Sequence, residues 1–551
     1  MNRFFVFTCL FSGLLLKSFA QQDNKWEEGG QIENAKVVIE KDRKLELPQA
    51  ARNFEKIPPL PQSDGDEVIT YNFQNFHLNP GVVEPRIRVF TIKEDPLDKL
   101  YGNFVKAGIG NYLTSYLEAY SYNKRSDEFS FGTHIRHLSS IHGPVDKRNS
   151  GVSDNLLAFS GKYFTDLITF SGKAKYQRNK VYFYGYNPEV EVVRDTIKQV
   201  FNNFEISAGL EDNFEDALGS FKLNTRFNLL NDRFDAREVI FDLDGFVNYE
   251  ISKELSAIIN ADLMLANRKD GTSISRNLFK LKPSFNFHTD QFSIEAGFNV
   301  VFNNDSLSNS SELNFYPMAK ASYRLLDEAS IYAGIDGDIE PVTLQSMVND
   351  NPWIEQQIPL LHTNKTFELY GGLKGTLVNN LAYDAGFSIG TYKNMHFFVN
   401  SASDTTRFSA LYDTGISTIF NFFGELNFLH KENFRLGFRG DLFSYDTDEV
   451  EEAWHMPNYK IAVNGLYNLY DKINFTAELY YLGGLRGYML HNDSEFDLED
   501  IVDFNLKIDY LFSPRFSIFL SFENMFGNNY QRYLNYPSRG LLVMGGLTYS
   551  F

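Results

Sequence analysis

Apolar and polar positions alternate through most of the chain from residue 100 onward. The clearest examples are 221–229, 473–481 and 502–510, where nearly every second residue is apolar and the residues between are mostly polar or charged. A period of two puts the apolar side chains on one face of a β-strand, whereas a helix repeats near 3.6 residues. The body of the chain, 100–551, is therefore predicted to be all-β.

This alternation predicts 22 strands in the body. Their approximate bounds are 101–110, 113–122, 127–138, 152–162, 166–180, 200–211, 217–229, 236–249, 254–266, 275–288, 291–302, 312–324, 328–337, 364–376, 380–391, 407–428, 433–445, 457–469, 472–484, 500–511, 515–526 and 540–551.

The connections between these strands alternate in length. Those after even-numbered strands are short, such as SPR, and those after odd-numbered strands are mostly longer, such as 338–363 and 485–499. This pattern is typical of a transmembrane antiparallel β-barrel with short periplasmic turns and longer outer loops. A soluble or fibrous all-β protein is the alternative, but it would leave the apolar strand faces uncovered. An even strand count places both termini of the chain on the same side of the membrane, and they are predicted to be periplasmic.

The N-terminus predicts export. Arg3 precedes a mainly apolar run, 4–16, and the small residues Ser18 and Ala20 precede a cut before Gln21. This is the pattern of a secretory signal peptide, too short to span a bilayer as a helix. The predicted domains are a signal peptide (1–20), an extension (21–99) and the barrel (100–551).

Composition narrows the possible chemistry. The single cysteine, Cys9, lies within the predicted signal, so the exported chain would have no disulfide and no thiolate metal site. The formal net charge of −19 argues against a nucleic-acid partner, which needs clustered Lys and Arg.

The segment 516–530 runs into Asn524, Met525 and Phe526, with Tyr530 following, and a Tyr-Pro-Ser-Arg-Gly loop (536–540) leads to the last strand. These residues resemble the end of TonB-dependent outer-membrane receptor barrels. The resemblance implies an outer-membrane location and a transport function. The strands, rich in Phe, Tyr and Asn, also resemble outer-membrane proteins of Bacteroidetes.

The resemblance does not extend to the N-terminus. Only 79 residues, 21–99, separate the signal from the barrel. They lack the glycine- and arginine-rich signature of the receptor plug, and no sequence that would pair with TonB is present. The chain therefore resembles a plugless member of the family, in which energised uptake is not implied.

Charged residues on the polar face of the strands are expected to line the lumen, because a charge at the lipid midplane costs about 2–4 kcal/mol. They either line a permeation path or form a salt-bridge network that braces the wall or holds the extension. The lumen-facing candidates are Lys222, Arg226, Asp242, Asp244, Lys280, Lys282, Glu295, Arg435, Arg439, Asp441, Asp503, Lys507 and Asp509.

The extension contains two strand candidates bounded by prolines, in 36–48 and 85–95. Such segments suit strand addition to a periplasmic or outer-membrane partner protein. They equally suit a small plug folded into the lumen, or a plain linker.

Other constellations are weak. His134 and His137 fall on opposite faces of one strand, so a metal ion cannot easily take both, and His142 is expected to be a surface residue. The acidic segments 446–452 and 493–500 could attract calcium, but solvated loops are the simpler interpretation. No catalytic residue, metal site or cofactor is predicted, and the protein is not expected to be an enzyme.

The C-terminal segment GLLVMGGLTYSF (540–551) alternates up to its last residue. It is predicted to close the barrel by pairing with the strand near 101–110. Tyr549 and Phe551 would then meet outer-membrane lipid at the periplasmic interface and serve as a signal for barrel-assembly machinery. The sequence thus favours an outer-membrane transport protein for an unidentified solute. A non-transporting scaffold or subunit of an envelope complex is the alternative.

Overall fold

The computed structural model describes residues 100–551, except 125, 214–217, 306–309 and 379. The predicted signal peptide and the extension lie outside the described residues. The described chain forms one closed barrel of 22 antiparallel strands, as predicted.

We number the barrel strands β1 to β22 in chain order. Their bounds are Asn103–Gly110, Thr114–Tyr122, Phe129–Ser140, Val152–Phe164, Ile168–Tyr182, Lys198–Asp212, Gly219–Asn231, Arg237–Glu250, Leu255–Asp270, Thr272–His288, Phe292–Asp305, Ser310–Leu326, Ala329–Glu340, Thr363–Val378, Leu381–Lys393, Ser417–His430, Phe434–Asp446, Tyr459–Leu469, Ile473–Gly483, Ile501–Leu511, Phe516–Glu523 and Leu542–Ser550.

The barrel closes where β22 pairs with β1. Val105 lies opposite Tyr549 and Gly108 lies opposite Gly546. Beyond the ladder, the backbone N–H of Asn103 donates to the carbonyl oxygen of Phe551 at 3.1 Å, and the N–H of Phe551 donates back at 2.9 Å. The closure leaves no open sheet edge, which a sheet exposed to lipid requires.

The two ends of the barrel differ. Leu100, Phe551 and the connections after even-numbered strands lie at one end, which we call the turn end. The connections after odd-numbered strands lie at the other, which we call the loop end. The length alternation is not strict, because β9 and β10 are joined through Gly271 alone and 111–113 is also short.

The two faces of the strands differ in the way the period of two requires. On β7, Phe227 is 40% exposed, while its inward neighbour Asn228 is fully buried. The apolar outward face recurs around the barrel. No helix of the described residues is long and apolar enough to cross a membrane.

One predicted strand is wrong in its bounds. The segment 407–428 is not continuous, because Phe408–Asp413 leaves the wall and pairs with Met395–Asn400 in a hairpin at the loop end. The barrel strand begins only at Ser417. Alternation alone did not reveal the break, because both pieces are extended.

The loop end also carries elements that the strand pattern did not predict. A helix, α1 (Leu344–Asp350), begins at Thr343 with a reciprocal capping box to Ser346. A second hairpin pairs Arg486–Met489 with Ser494–Asp497, and a short 3₁₀ turn spans Lys147–Ser150. Small pairings also join Gln531–Tyr533 to Tyr536–Pro537.

Candidate functional site

Charged side chains from separated strands meet inside the barrel. Lys280 and Lys282 on β10 each place their Nζ 2.9 Å from a carboxylate oxygen of Asp338 on β13. Strands three apart along the sheet can be bridged in this way only across its concave face. Asn299 on β11, between them, also donates to Asp338 at 3.1 Å.

Several other sequence-predicted residues form pairs on this polar face. Arg439 binds Glu425 at 3.1 Å and Asp441 at 2.8 Å. Arg226 binds Asp242 at 2.6 Å, and Lys507 binds Asp509 at 2.6 Å. The Arg226–Asp242 and Arg439–Glu425 pairs join neighbouring strands, whereas Lys507 and Asp509 belong to the same strand.

Two further candidates accept hydrogen bonds from hydroxyl groups. Glu295 accepts from the hydroxyl of Ser284 at 2.8 Å. Asp503 accepts from Tyr480 at 3.0 Å and from Tyr530 at 2.5 Å, and the two tyrosine oxygens are 2.6 Å apart. Tyr530 belongs to the last connection at the loop end, so Asp503 ties that connection to the wall.

Three candidates have neither an ion pair nor a side-chain hydrogen bond with any other residue that the structure describes. They are Lys222, Asp244 and Arg435. Asp244 lies directly opposite Asp262 in the β8–β9 ladder, so two carboxylates of the same sign are adjacent there. The polar face thus combines paired and unpaired charges.

Six loop-end connections fold together, and we call them the loop cap. They are 183–197, 341–362, 394–416, 447–458, 484–500 and 524–541. Apolar side chains of 183–197, 341–362, 394–416 and 524–541 share one buried core, in which Ile358 and Phe408 are completely inaccessible. A second core joins 394–416 to 447–458 and 484–500. Loops that only project into solvent would not form such a core.

The cap lies over the lumen. Tyr184 follows β5, Trp353 follows β13 and Tyr536 follows β21, so the three are carried by strands spaced widely around a ring of 22. Their rings nevertheless touch: the centroid of Trp353 is 4.2 Å from that of Tyr536 and 5.6 Å from that of Tyr184. Chains rising from such separated parts of the rim can meet only by crossing the opening of the barrel.

Buried charges attach the cap to the barrel wall. Arg276 on β10 bonds to Asp305 on β11 at 3.1 Å and donates to the carbonyl oxygen of Val342 at 2.6 Å. Arg268 donates to the carbonyl oxygen of Ile358. Glu238 accepts from the backbone N–H groups of Leu344 and Gln345, at 2.8 and 3.0 Å. Each of these three anchors is at least nine-tenths buried, so breaking one leaves a buried charge.

Neutral histidines lie in the cap, and one of them joins its loops. His455 contacts the carbonyl oxygen of Phe398 through Nδ1 at 2.7 Å, and the backbone N–H of Leu534 donates to its Nε2 at 3.1 Å. Burial lowers the pKa of His455 to about 4, and the nearby Arg532 guanidinium acts in the same direction. Burial also lowers the pKa of His396 to about 4. Both imidazoles are therefore neutral at pH 7.

The remaining histidine and acidic candidates have structural partners. His134 contacts Glu118 at 3.1 Å and His137 contacts Asn155 at 2.6 Å, on opposite faces of β3. Arg486 bonds to Glu452, Glu495 and Asp497, which belong to the two acidic segments. Within the described part of the chain, no group of three or more His, Cys, Asp or Glu residues could hold a metal ion.

The strand pattern gave no indication of the loop cap. The sequence predicts the long connections only as outer loops, and the acidic segments 446–452 and 493–500 as solvated ones. The connections nevertheless carry Trp353, Trp454 and most of a Tyr-Phe-Tyr run at 182–184. The density of large aromatic residues between predicted strands was the available signal. Such residues are seldom left in water when they can be buried.

The barrel is similar to solved structures of receptors and transporters. The siderophore receptor PirA from Acinetobacter baumannii aligns with a TM-score of 0.65 at 11% identity, covering 83% of this chain and 81% of that chain. The FrpB iron transporter from Neisseria meningitidis aligns with a TM-score of 0.64 at 9% identity, covering 83% and 82%. The ferripyoverdine receptor of the outer membrane of Pseudomonas aeruginosa aligns with a TM-score of 0.62 at 13% identity, covering 83% and 72%.

At these identities the similarity shows the fold alone. No protein-family model matches the chain, and no curated protein matches it. The chain therefore has the barrel fold of outer-membrane receptors and transporters.

Proposed function

We propose that this protein is an outer-membrane transport barrel whose path is closed at the loop end by the loop cap and opens when the cap moves. The solute passes along the polar inner face, where Lys280, Asp338 and Arg439 lie. The observation that carries the proposal is the cap, in which residues from distant strands meet over a polar lumen that 22 strands make too wide for wall side chains to fill.

The fold and the charges both support this function. The solved structures with the same barrel include one protein named as a siderophore receptor and one named as an iron transporter. The polar face retains unpaired charges such as Lys222 and Arg435, which a purely structural wall would not need. If both termini of the barrel chain, which lie at the turn end, are periplasmic, the loop end faces outward and the cap is the entrance.

Planar-bilayer conductance tests the proposal. The unaltered protein should give few or no channel openings, because the cap is closed. A variant with Trp353→Ala and Tyr536→Ala removes rings that touch at the centre of the cap and should give large, frequent openings. The matched control is Phe298→Ala with Phe315→Ala. It removes two rings whose centroids are 5.3 Å apart and which lie on the lipid-facing surface, so it should conduct like the unaltered protein.

The measurement should be made with residues 21–99 present and deleted. Openings that appear only after both the cap change and this deletion would assign the extension to the path as a second barrier. Steady large openings of the unaltered protein would contradict a closed cap. No openings from the cap variant without 21–99 would contradict transport.

That last outcome would favour the second candidate, a non-transporting scaffold. The observation in favour of it is the cap itself, whose core is as fully buried as a domain interior. In that role the extension would bind a periplasmic or outer-membrane partner, and crosslinking from 21–99 in cells would identify it.

A further inference from the structure

The outward face of the barrel changes from apolar to polar at one register across six neighbouring strands, β3 to β8. The last apolar row consists of Ile135, Leu157, Tyr176, Phe204, Leu229 and Val239. The next row towards the loop end consists of His137, Asn155, Arg178, Asn202, Asn231 and Arg237. On each strand, the boundary between the apolar and the polar outward surface therefore falls within a step of two residues.

Cations are concentrated just above this boundary. We call them the cationic patch: Arg178, Lys180, Arg194, Lys198, Arg237 and Lys269. The first two share the outward face of β5, and Lys198 begins the adjacent strand β6 with Arg194 in the loop before it. On β8 and β9, Arg237 and Lys269 lie directly opposite each other. Like charges in that position destabilise a ladder unless an anion lies between them.

The patch has no counter-ions in the described part of the chain. None of its members forms an ion pair there, whereas the nearby Arg233 binds Asp195 at 3.5 Å. Arg194 instead lies over the ring of Tyr182 at 4.8 Å and donates to a backbone carbonyl oxygen. The charged groups that act on Lys180 are Arg178, Arg194 and Lys198, all of them cations. In a chain of net charge −19, this local excess of positive charge stands out.

We propose that the cationic patch binds the phosphate groups of a phosphorylated lipid in the membrane leaflet at the loop end. The apolar row below contacts the lipid chains, and the cations lie one step higher, where head groups begin. Guanidinium and ammonium groups are the side chains that bind phosphate. The inference rests on the barrel spanning a membrane and is independent of whether it transports a solute.

Binding of diphosphorylated lipid A to the purified full-length protein in neutral nanodiscs tests this proposal, with native mass spectrometry as the readout. A variant with Lys180→Gln and Lys198→Gln should bind the lipid about 30-fold more weakly, since each cation near a lipid surface contributes about fivefold. Replacing Arg178 by Lys retains the charge and should leave most of the binding.

A matched control removes two cations at the other end of the barrel, Lys253→Gln and Lys472→Gln, and should not change binding. The heat-dependent migration of folded barrels on gels shows that each variant is folded. Unchanged binding in the patch variant would overturn the proposal, as would an equal loss in the control. Equally strong binding of phosphatidylcholine, or equally effective competition by inorganic phosphate, would also overturn it, because the site would not select a lipid phosphate.

Discussion

At the scale of the residue, the charged side chains of the barrel wall differ in the partners that they bind. Charged side chains on the polar face pair across strands, and the most buried of them bond to the backbone of the cap. Arg276 combines both roles, because its guanidinium binds Asp305 and the carbonyl oxygen of Val342. A residue of this kind determines whether the loop 341–362 stays on the wall.

Replacing Arg276 by Met should loosen that loop. The change removes the guanidinium that bonds to the buried Asp305 carboxylate, and breaking a buried ion pair costs about 3–5 kcal/mol. Limited proteolysis should then cut within 341–362 while the barrel stays intact.

Arg226→Met is the control, since its side chain is 47% exposed and removing such a pair costs about 1 kcal/mol or less. Adding Asp305→Asn to the Arg276 variant should restore part of the protection. Equal proteolysis of the two single variants would contradict the anchoring role of Arg276.

At the scale of the element, the barrel strands and the cap obey different rules. The strands follow from a period of two that any part of the chain can satisfy locally. The cap is made of short elements, which are held in place by packing against each other. They are the loop hairpin 395–413, helix α1 and the last connection. His455 is one of the joints, between Phe398 and Leu534.

Acid should therefore weaken the cap. The pKa of His455 is about 4 in the closed cap and returns to its ordinary value near 6.5 when the cap opens. The open form binds an extra proton between these values, so the closed form is fully stable above pH 6.5 and loses stability as the pH falls towards 4. Each pH unit in this range costs up to about 1.4 kcal/mol per histidine.

The fluorescence of Trp353, with the other two tryptophans replaced by Phe, reports this opening as a shift to longer wavelength below pH 6.5. His491 is exposed at the edge of the cap, so His491→Gln should not change the profile. A spectrum that is constant from about pH 7.5 to about pH 4.5 would contradict the proposed joint, because this range begins above the ordinary histidine pKa and ends near the lowered pKa of His455, about 4.

At the scale of the whole molecule, closure depends on the seam between β1 and β22. Gly546 lies opposite Gly108 there, and a Cβ on Gly546 would lie 2.1 Å from the carbonyl oxygen of Ala107 and 2.5 Å from the ring of Phe519. Phe519 is completely buried against this seam. The last strand can therefore approach the first only with glycine at this position.

Gly546→Val should prevent closure, so that the folded, heat-modifiable band is lost and the protein aggregates through its open edges. The control is Gly424→Val on β16, where an added Cβ meets nothing within 4 Å. A Gly546 variant that migrates like the unaltered folded protein would contradict the seam argument. The assembly roles of Tyr549 and Phe551 remain predictions, although their stacked rings, 5.6 Å apart, do lie beside this seam.

The sequence by itself determined the barrel. Strand number, order and closure follow from local alternation and connection length. These predictions hold in the structure because each strand needs only a neighbouring strand and one apolar face. The error at 407–428 shows the limit, since alternation does not tell which sheet an extended segment joins. Only the tertiary structure decided the cap, the anchors Arg268 and Arg276, and the meeting of Tyr184 with Trp353. Those contacts join residues far apart in the chain, and no local pattern encodes which loops will share one core.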